Sequence, residues 1–401
     1  MSENQNSLPI VTTRKDGSHI TIYLNGRISS DNAPEADRLV KEALDGVDSV
    51  VFDCSNLEYI ASAGLRIILR TKNKIDDVTI IEACADVYDV FEVTGFTEML
   101  EVHKAFKTIS VEGCEVIGEG ANGVVYRYGD DTIVKLYRNP DAIDEIKRER
   151  ELARAAFVMG IPTAISYDIV RIKEGNCFGS VFEMLNADSY QNLLIDGTKS
   201  VDEIARMSAD LLKILHGTKP KKGVLPLRKV GAEERLQQLK DSHALSDEDF
   251  DAVYKKIMEI PDDEKVLHGD FHIKNVMIQN GESLLIDMDT LCSGNPVFEF
   301  AATYLAYVGF QLVGPGVIPK FMKISNEDAG ELYEKILQYY FADRLDELDV
   351  IKKKIQFVCY VRMIYFCGIG KHVPEDRREP VKEICWKFVK EELPRIGSLA
   401  I

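Results

Sequence analysis

Residues 268–275 read His-Gly-Asp-Phe-His-Ile-Lys-Asn, and twelve positions past Asn275 a second carboxylate, Asp287, closes the apolar run Leu284-Leu285-Ile286. The chemistry open to such a set is phosphoryl transfer. A carboxylate at Asp270 can orient an attacking hydroxyl and accept its proton, while the amide of Asn275 and the carboxylate of Asp287 can offer oxygen ligands to Mg²⁺. An isolated Asp-x4-Asn pair is more often a turn with solvated polar groups. Residues elsewhere in the chain must therefore decide its meaning.

Upstream, Glu115-Val-Ile-Gly-Glu-Gly-Ala-Asn-Gly-Val-Val-Tyr126 places Gly118, Gly120 and Gly123 in a G-x-G-x-x-G-x-V pattern between two β-prone stretches, and Ile133-Val134-Lys135 follows. Glycines let a backbone approach phosphate oxygens, Val125 would press on a base, and Lys135 would bridge two phosphates. A dinucleotide-binding unit would continue with a helix and an acidic residue about 20 positions on. Here a strand and a lysine follow instead.

A helix is expected over residues 143–159, ending before Gly160-Ile161-Pro162, and it carries Glu145, Glu149 and Glu151. Glu149 is the expected partner of Lys135, although acidic residues on a Lys/Arg-rich helix commonly form i,i+4 surface pairs. The strand Ser180–Leu185 would lead into a hinge where backbone groups of Glu183 and Leu185 meet a purine edge.

With these motifs in this order, residues from about 110 to 395 resemble the protein-kinase-like phosphotransferases, and among them the aminoglycoside and choline phosphotransferase branch. Two details carry the second likeness. His272 stands two residues after Asp270, where protein Ser/Thr kinases usually have Lys, and Ile286-Asp287-Met288-Asp289 replaces Asp-Phe-Gly. The stretch Gly294-Asn-Pro-Val-Phe-Glu-Phe-Ala301 is similar to that branch's Gly-Asp-Pro-x-x-Asp-Leu-Ala, with Asn295 and Glu299 as departures. The resemblance implies ATP, or GTP, with Mg²⁺ as cofactors, Asp270, Lys135 and Glu149 as catalytic residues, Asn275 and Asp287 as metal ligands and Asp289 as a second acid. It leaves the acceptor open, because one fold hosts many substrates.

The first hundred residues read differently. Ile20–Leu24 alternates as a strand, residues 33–44 have helical periodicity, and Ser49–Asp53 is a buried-strand run before an expected loop over 54–61. A second helix is expected from Ser62 with that residue as its N-cap, then a strand over Val78–Glu82 and a helix from Tyr88 to Val93 that stops at Gly95. This pattern resembles the STAS domain of anti-sigma-factor antagonists over residues 8–106. In the family, an apolar-Asp-Ser-Ser/Thr-Gly-Leu stretch carries a regulatory phosphoserine. Ser62 matches that serine, whereas Ala61 and Ala63 replace the flanking Asp and Ser/Thr.

The fold expected is thus an α/β STAS-like domain, a mixed sheet with helices, followed by an α+β bilobal protein-kinase-like fold. Residues 1–106 would bind or regulate, 107–185 form the N-lobe and 186–401 the helical C-lobe. The connection near residues 104–110 holds no Pro/Gly/Ser-rich tether, so the domains are expected to touch.

Composition narrows the partners. Forty-nine basic residues against sixty-six acidic ones give a formal charge of −17, which disfavours nucleic acid, whose affinity comes largely from Lys and Arg neutralising phosphates. That balance would suit a cationic acceptor, and the acidic stretch from Asn326 to Asp349 lies in the expected acceptor region, although such runs are usually solvated faces. Eight cysteines without a C-x-x-C pair suggest neither zinc nor a disulfide framework. With no signal pattern and no apolar run of about 18 residues, the expectation is a cytoplasmic enzyme without a membrane partner. Three readings follow: a phosphotransferase acting on a small-molecule hydroxyl under STAS control, a Ser/Thr protein kinase acting on Ser62 or on a protein bound by the STAS-like domain, and a nucleotide-binding scaffold without turnover.

Overall fold

The computed structural model describes residues 8–401 except Ala121, Asn122, Asn176 and Asn186. The chain divides into two compact units, one containing residues through Ser110 plus a short segment from Ile169, the other Val111–Asp168 and Cys177–Ile401.

The first unit is a five-stranded sheet in the order β1-β2-β3-β4-β5. Its strands are β1 (Val11–Asp16), β2 (His19–Ile28), β3 (Ser49–Ile60), β4 (Asp77–Ala83) and β5 (Glu101–Lys104), interleaved with α1 (Ala33–Ala43), α2 (Ser62–Lys74), α3 (Ala85–Val93) and the single turn α4 (Phe96–Met99). Only β1 and β2 run antiparallel; the later neighbours are parallel, as crossover helices require. Period-two burial along β2 and β3 sends Ile22, Leu24 and Phe52 into a core closed by Phe91 of α3.

Two expectations change here. Residues 54–60 are strand rather than loop, because β3 stays paired with β2 as far as Ile28↔Ile60, across two register shifts. Ser62 is the first residue of α2 and not its cap. Ala61 holds the cap position in extended conformation with no side-chain hydrogen bond, and Ser62 is exposed. The expected boundary at 106/107 also falls four residues before the division between the units. Within the first unit β6 (Lys107–Ile109) pairs in parallel with β10 (Asp168–Ile172), and Arg171 reaches Glu82 at 3.1 Å.

In the second unit, β7 (Glu115–Glu119), β8 (Gly123–Arg127), β9 (Thr132–Tyr137) and β11 (Cys177–Glu183) form an antiparallel sheet in the order β7-β8-β9-β11. Gly123 is required there, because a Cβ would stand 2.0 Å from Leu136 O. Helix α5 (Ile143–Val158) buries Ile146, Glu149, Leu152, Ala153 and Ala156, which share one helical face. Glu149 therefore lies within the apolar stripe, whereas Glu145 and Glu151 are exposed.

The rest is mostly helical. After β12 (Asp188–Ser189) come α6 (Tyr190–Ile195), α7 (Val201–Gly217), α8 (Arg228–Asp241) and α9 (Asp247–Met258). Short strands β13 (Val266–Leu267), β14 (Val276–Gln279), β15 (Glu282–Leu285) and β16 (Cys292–Ser293) carry the polar loops, and α10 (Val297–Tyr307), α11 (Val317–Met322), α12 (Asn326–Tyr340), α13 (Leu348–Ile369) and α14 (Glu375–Glu392) complete the lobe. Asn280 and Gly281 both take positive φ between β14 and β15, the two-residue hairpin turn their sequence favours. Phe300, Tyr307, Tyr333 and Phe357 are fully buried at the centre of the lobe. Among the described residues no helix is long and apolar enough to cross a membrane.

Candidate active site

The loop between β13 and β14 is held by its backbone. Glu299, wholly buried on α10, accepts from the amides of His268 at 2.5 Å and Gly269 at 3.0 Å. One turn on, Thr303 Oγ1 donates to Phe271 O at 3.3 Å, and one turn further Tyr307 Oη accepts from the amide of Ile273 at 2.9 Å. Spacing i, i+4, i+8 places these three groups on one face of α10, so a single helix braces the loop at three points. Gly269 adopts φ +84°, and a Cβ there would meet Thr290 O at 2.6 Å.

These braces leave the side chain of Asp270 half-exposed toward solvent, with His272 Nε2 3.5 Å away. Enclosure in the cleft would raise its pKa, but the hydrogen bond and charge of His272, then the charges of His268 and Arg362, hold it down at about 2. His268 Nε2 lies 3.1 Å from Ile286 O, and the Asp270 amide points at Nδ1 from 3.4 Å. Asn275 donates through Nδ2 to Asp270 O at 3.0 Å, which leaves its amide oxygen as the group available to a cation.

Across the cleft, Lys135 Nζ lies 3.0 Å from Glu149 Oε1 and 2.7 Å from Asp287 Oδ1. Tyr137 Oη donates to Glu149 Oε2 at 2.7 Å, fixing the carboxylate from its other side. Burial opposes the lysine's charge, yet the two carboxylates outweigh it and raise its pKa. Asp287 takes φ 64° and ψ 62°, a left-handed conformation uncommon for a residue with a side chain, and it turns the chain from β15 toward Lys135. Asp289 is solvent-accessible. Partial enclosure, then the charges of Asp287 and Glu149, push its carboxyl up to about 7, with Lys135 pulling the other way.

Val125 is the cross-strand partner of Lys135 and shares its face of the sheet. Gly118 and Gly120 have room around them, and the Gly120 amide donates to Gly123 O at 3.0 Å; the intervening Ala121 and Asn122 lie outside the described residues. At the end of β11 the Met184 amide donates to Asp131 O at 2.7 Å. Strand alternation then turns the backbone groups of Glu183 to the opposite edge, and Leu185 lies two residues past the end of β11. Part of the acidic stretch after Asn326 is engaged elsewhere. The Asp328 carboxylate accepts from Ser325 Oγ at 2.7 Å, and Glu331 and Glu347 face Lys335 and Arg344.

The structure thus gathers Lys135, Glu149 and Asp287 into one cluster, places Asn275 against the backbone of Asp270, and sets Val125 beside Lys135. Ser62 stands in the other unit. Three residues escaped the sequence reading: Thr303, Tyr307 and His216, the last 4.0 Å from Glu299. The signal for the first two was present, since both are polar residues spaced four apart in the apolar helix that begins at the Asn-Pro-Val-Phe-Glu motif. Glu299 had been noticed only as a departure from Asp.

An antiparallel sheet with one helix, joined to a helical lobe that presents a braced Asp/Asn loop, defines the protein-kinase-like class. Residues 113–345 match the signature of the phosphotransferase enzyme family, and the chain belongs to that family. Residues 10–110 match the STAS domain. That region is 33% identical over 97 residues to the putative anti-sigma factor antagonist BtrV of Bordetella bronchiseptica, covering 23% of this chain and 84% of that one. Among solved structures, the ADP-bound aminoglycoside phosphotransferase APH(2'')-Ib is 17% identical, with a TM-score of 0.45 over 76% of this chain and 96% of that one. A choline/ethanolamine kinase family protein from Mesorhizobium loti is 13% identical, with a TM-score of 0.47 over 71% and 92%.

Proposed function

We propose that this chain transfers the terminal phosphoryl group of ATP, or of GTP, to a hydroxyl of a small molecule with the help of Mg²⁺, and that its N-terminal unit regulates the reaction. The observation that carries the reading is Lys135 held between Glu149 and Asp287 at 3.0 and 2.7 Å, in the same unit as the separately braced Asp270. Lys135 would hold nucleotide phosphates, with the backbone at Gly118 and Gly120 open to their oxygens and Val125 against the base. The edge presented by Glu183 and Leu185 would receive the base's polar rim.

Oxygen donors fit Mg²⁺, which takes one or two carboxylates and completes its shell with water and phosphate oxygens. Asn275 and Asp287 would hold it, with Asp289 beside them; when bound, the ion neutralises charge developing on the phosphates. Asp270 orients the acceptor hydroxyl and accepts its proton as the oxygen attacks phosphorus and the nucleoside diphosphate leaves. Its low pKa keeps it ionised for that task throughout the neutral range.

The test is ADP release by the full chain with a panel of amino alcohols, sugars, aminoglycosides and phosphorylated polyols. Turnover of at least one acceptor is expected, falling by roughly 10²–10⁴ in Asp270→Asn. Phosphorylation of protein alone, with every small acceptor inert, would sink the proposal. The exposure of Ser62 at the start of α2 favours a second reading, in which this serine is a target, since a phosphate there would meet free helix amides. Intact mass after incubation with ATP and Mg²⁺ decides it: no gain, or an equal gain in Ser62→Ala, removes that reading.

A further inference from the structure

Helix α8 buries Ala232, Leu236 and Leu239, and Arg228 and Arg235, two turns apart, flank the same stripe. On α13 the apolar run from Phe357 to Cys367 is broken by one charge, Arg362. The fold brings these three arginines to the wall of one small cavity of about 50 Å³, whose apolar side is formed by Phe298 and Ala301 of α10 together with Val358 and Val361. A single water needs about 10–15 Å³ on this measure, so the space suits one oxyanion group and is too small for a sugar ring.

Nε of Arg228 and Nε of Arg362 are buried with no hydrogen-bond partner, and among the described residues none of the three guanidiniums is in salt-bridge range of a carboxylate. Arg228 has Cys292 as an acceptor, but burial pushes that thiol up to about 11, so it is neutral. Enclosure first, and then the neighbouring arginines, hold Arg235 down at about 9 and Arg362 at about 10. Buried cations are normally paired. A site that assembles three without a partner is built for an anion that arrives from outside.

The cavity adjoins the machinery already described. Leu227, immediately before Arg228, bridges to Ser293, and the Ser293 amide donates to Pro226 O at 2.9 Å, tying the start of α8 to the chain that runs on from Asp289. Arg362 and Asp270 act on each other's charge.

We propose that the recess between α8, α10 and α13 is an oxyanion subsite of the acceptor pocket, so that the acceptor carries a phosphate or carboxylate besides the hydroxyl that Asp270 engages. This rests on the phosphotransferase reading above. It replaces the cationic acceptor that the net charge suggested, because the charge of a whole surface does not set the local field of a cleft.

Two measurements on the full chain, each with wild type, Arg235→Met and Arg228→Gln, test it. The first is thermal stability against inorganic phosphate and against acetate, with ADP saturating so that the nucleotide's own phosphate site is filled. Wild type should gain several degrees from at least one of these anions, phosphate or carboxylate being thereby told apart, and both variants should lose most of the gain. The second is ADP release with the matched set glycerol, glycerol 3-phosphate, glycerate and ethanolamine. An anionic member should be turned over at least tenfold more efficiently than glycerol, with KM raised tenfold or more in the variants. Efficient phosphorylation of ethanolamine or glycerol, abolished by Asp270→Asn but indifferent to Arg235→Met, overturns the subsite and leaves the phosphotransferase standing. An anion-dependent stability gain that both variants retain overturns the subsite too. Loss of the gain in the variants without turnover of any acceptor overturns the acceptor assignment together with the reading on which it rests.

Discussion

The second unit contains two enclosed clusters of positive charge, built on opposite terms. Lys135 has Glu149 and Asp287 within 3.0 Å and a raised pKa. Arg228, Arg235 and Arg362 have one another and a neutral thiol, and the pKa values of Arg235 and Arg362 are pulled down. A cation with its carboxylates in place is an assembled part of the machine, its geometry set before any substrate comes. Cations that repel each other in an enclosed space hold free energy that only an incoming anion can release. The difference separates what the fold completes by itself from what it leaves for a ligand.

The largest effect should come from the completed cluster. Lys135→Met strands Glu149 beside Tyr137 and removes the partner of Asp287, and breaking such a buried pair costs about 3 kcal/mol. Urea denaturation should show that loss, together with a fall in turnover of roughly 10³ or more for a removed charge-stabilising group. A stability equal to wild type would mean that the pair is as solvated as a surface bridge, and the contrast between the clusters would collapse.

Glu299 sharpens the comparison, since it is a buried carboxylate within the influence of Arg228 that is nevertheless spent on the amides of His268 and Gly269. Burial opposes its ionisation, and His216, then His268 and Arg228, hold its pKa below the usual range. Glu299→Ala leaves two buried amides unmet, at about 1–3 kcal/mol each. Nucleotide affinity should change little while kcat falls, because the loop that moves is the one carrying Asp270. An unchanged kcat would show that Thr303 and Tyr307 suffice as braces.

His272 offers a pH test of the same region. Its hydrogen bond and charge lower Asp270 against the opposing effect of enclosure, so the carboxylate's contribution to folding is present above its unfolded value near 3.8 and is lost as pH falls through about 2. In His272→Leu the opposing effect is unbalanced, and the acid limb of kcat/KM should move up by about 1 pH unit. A limb that stays in place would remove His272 from the control of Asp270.

How much of this was legible in the sequence follows from how local the cause is. The loop at 268–275 could be read because the chemistry dictates residue types at short spacing. Glu149 could be preferred over Glu145 and Glu151 only by a guess about facing, which the burial of Ile146 and Leu152 on the same stripe explains afterwards. The end of β3 was misjudged because Asn56 and Glu58 do not look like strand, and it is pairing with β2 that keeps this stretch extended. The arginine cluster was hidden for the opposite reason. Arg228 and Arg235 look like ordinary surface residues of a polar helix, and only the packing of α8 against α13 turns them inward. The one local trace was Arg362, a lone charge inside Phe357–Cys367.

That trace leads to the smallest and most discriminating effect. Arg235 is only partly enclosed, so its removal creates no large cavity, and Met fills the volume of the stem with an apolar chain. What it takes away is repulsion from Arg228 and Arg362. Ordinary truncations destabilise by about 1 kcal/mol, yet in anion-free buffer Arg235→Met should unfold at the same urea concentration as wild type or slightly higher. Loss of stability comparable to that of Lys135→Met would mean that Arg235 already has its partner, and the two clusters would then be built on the same terms.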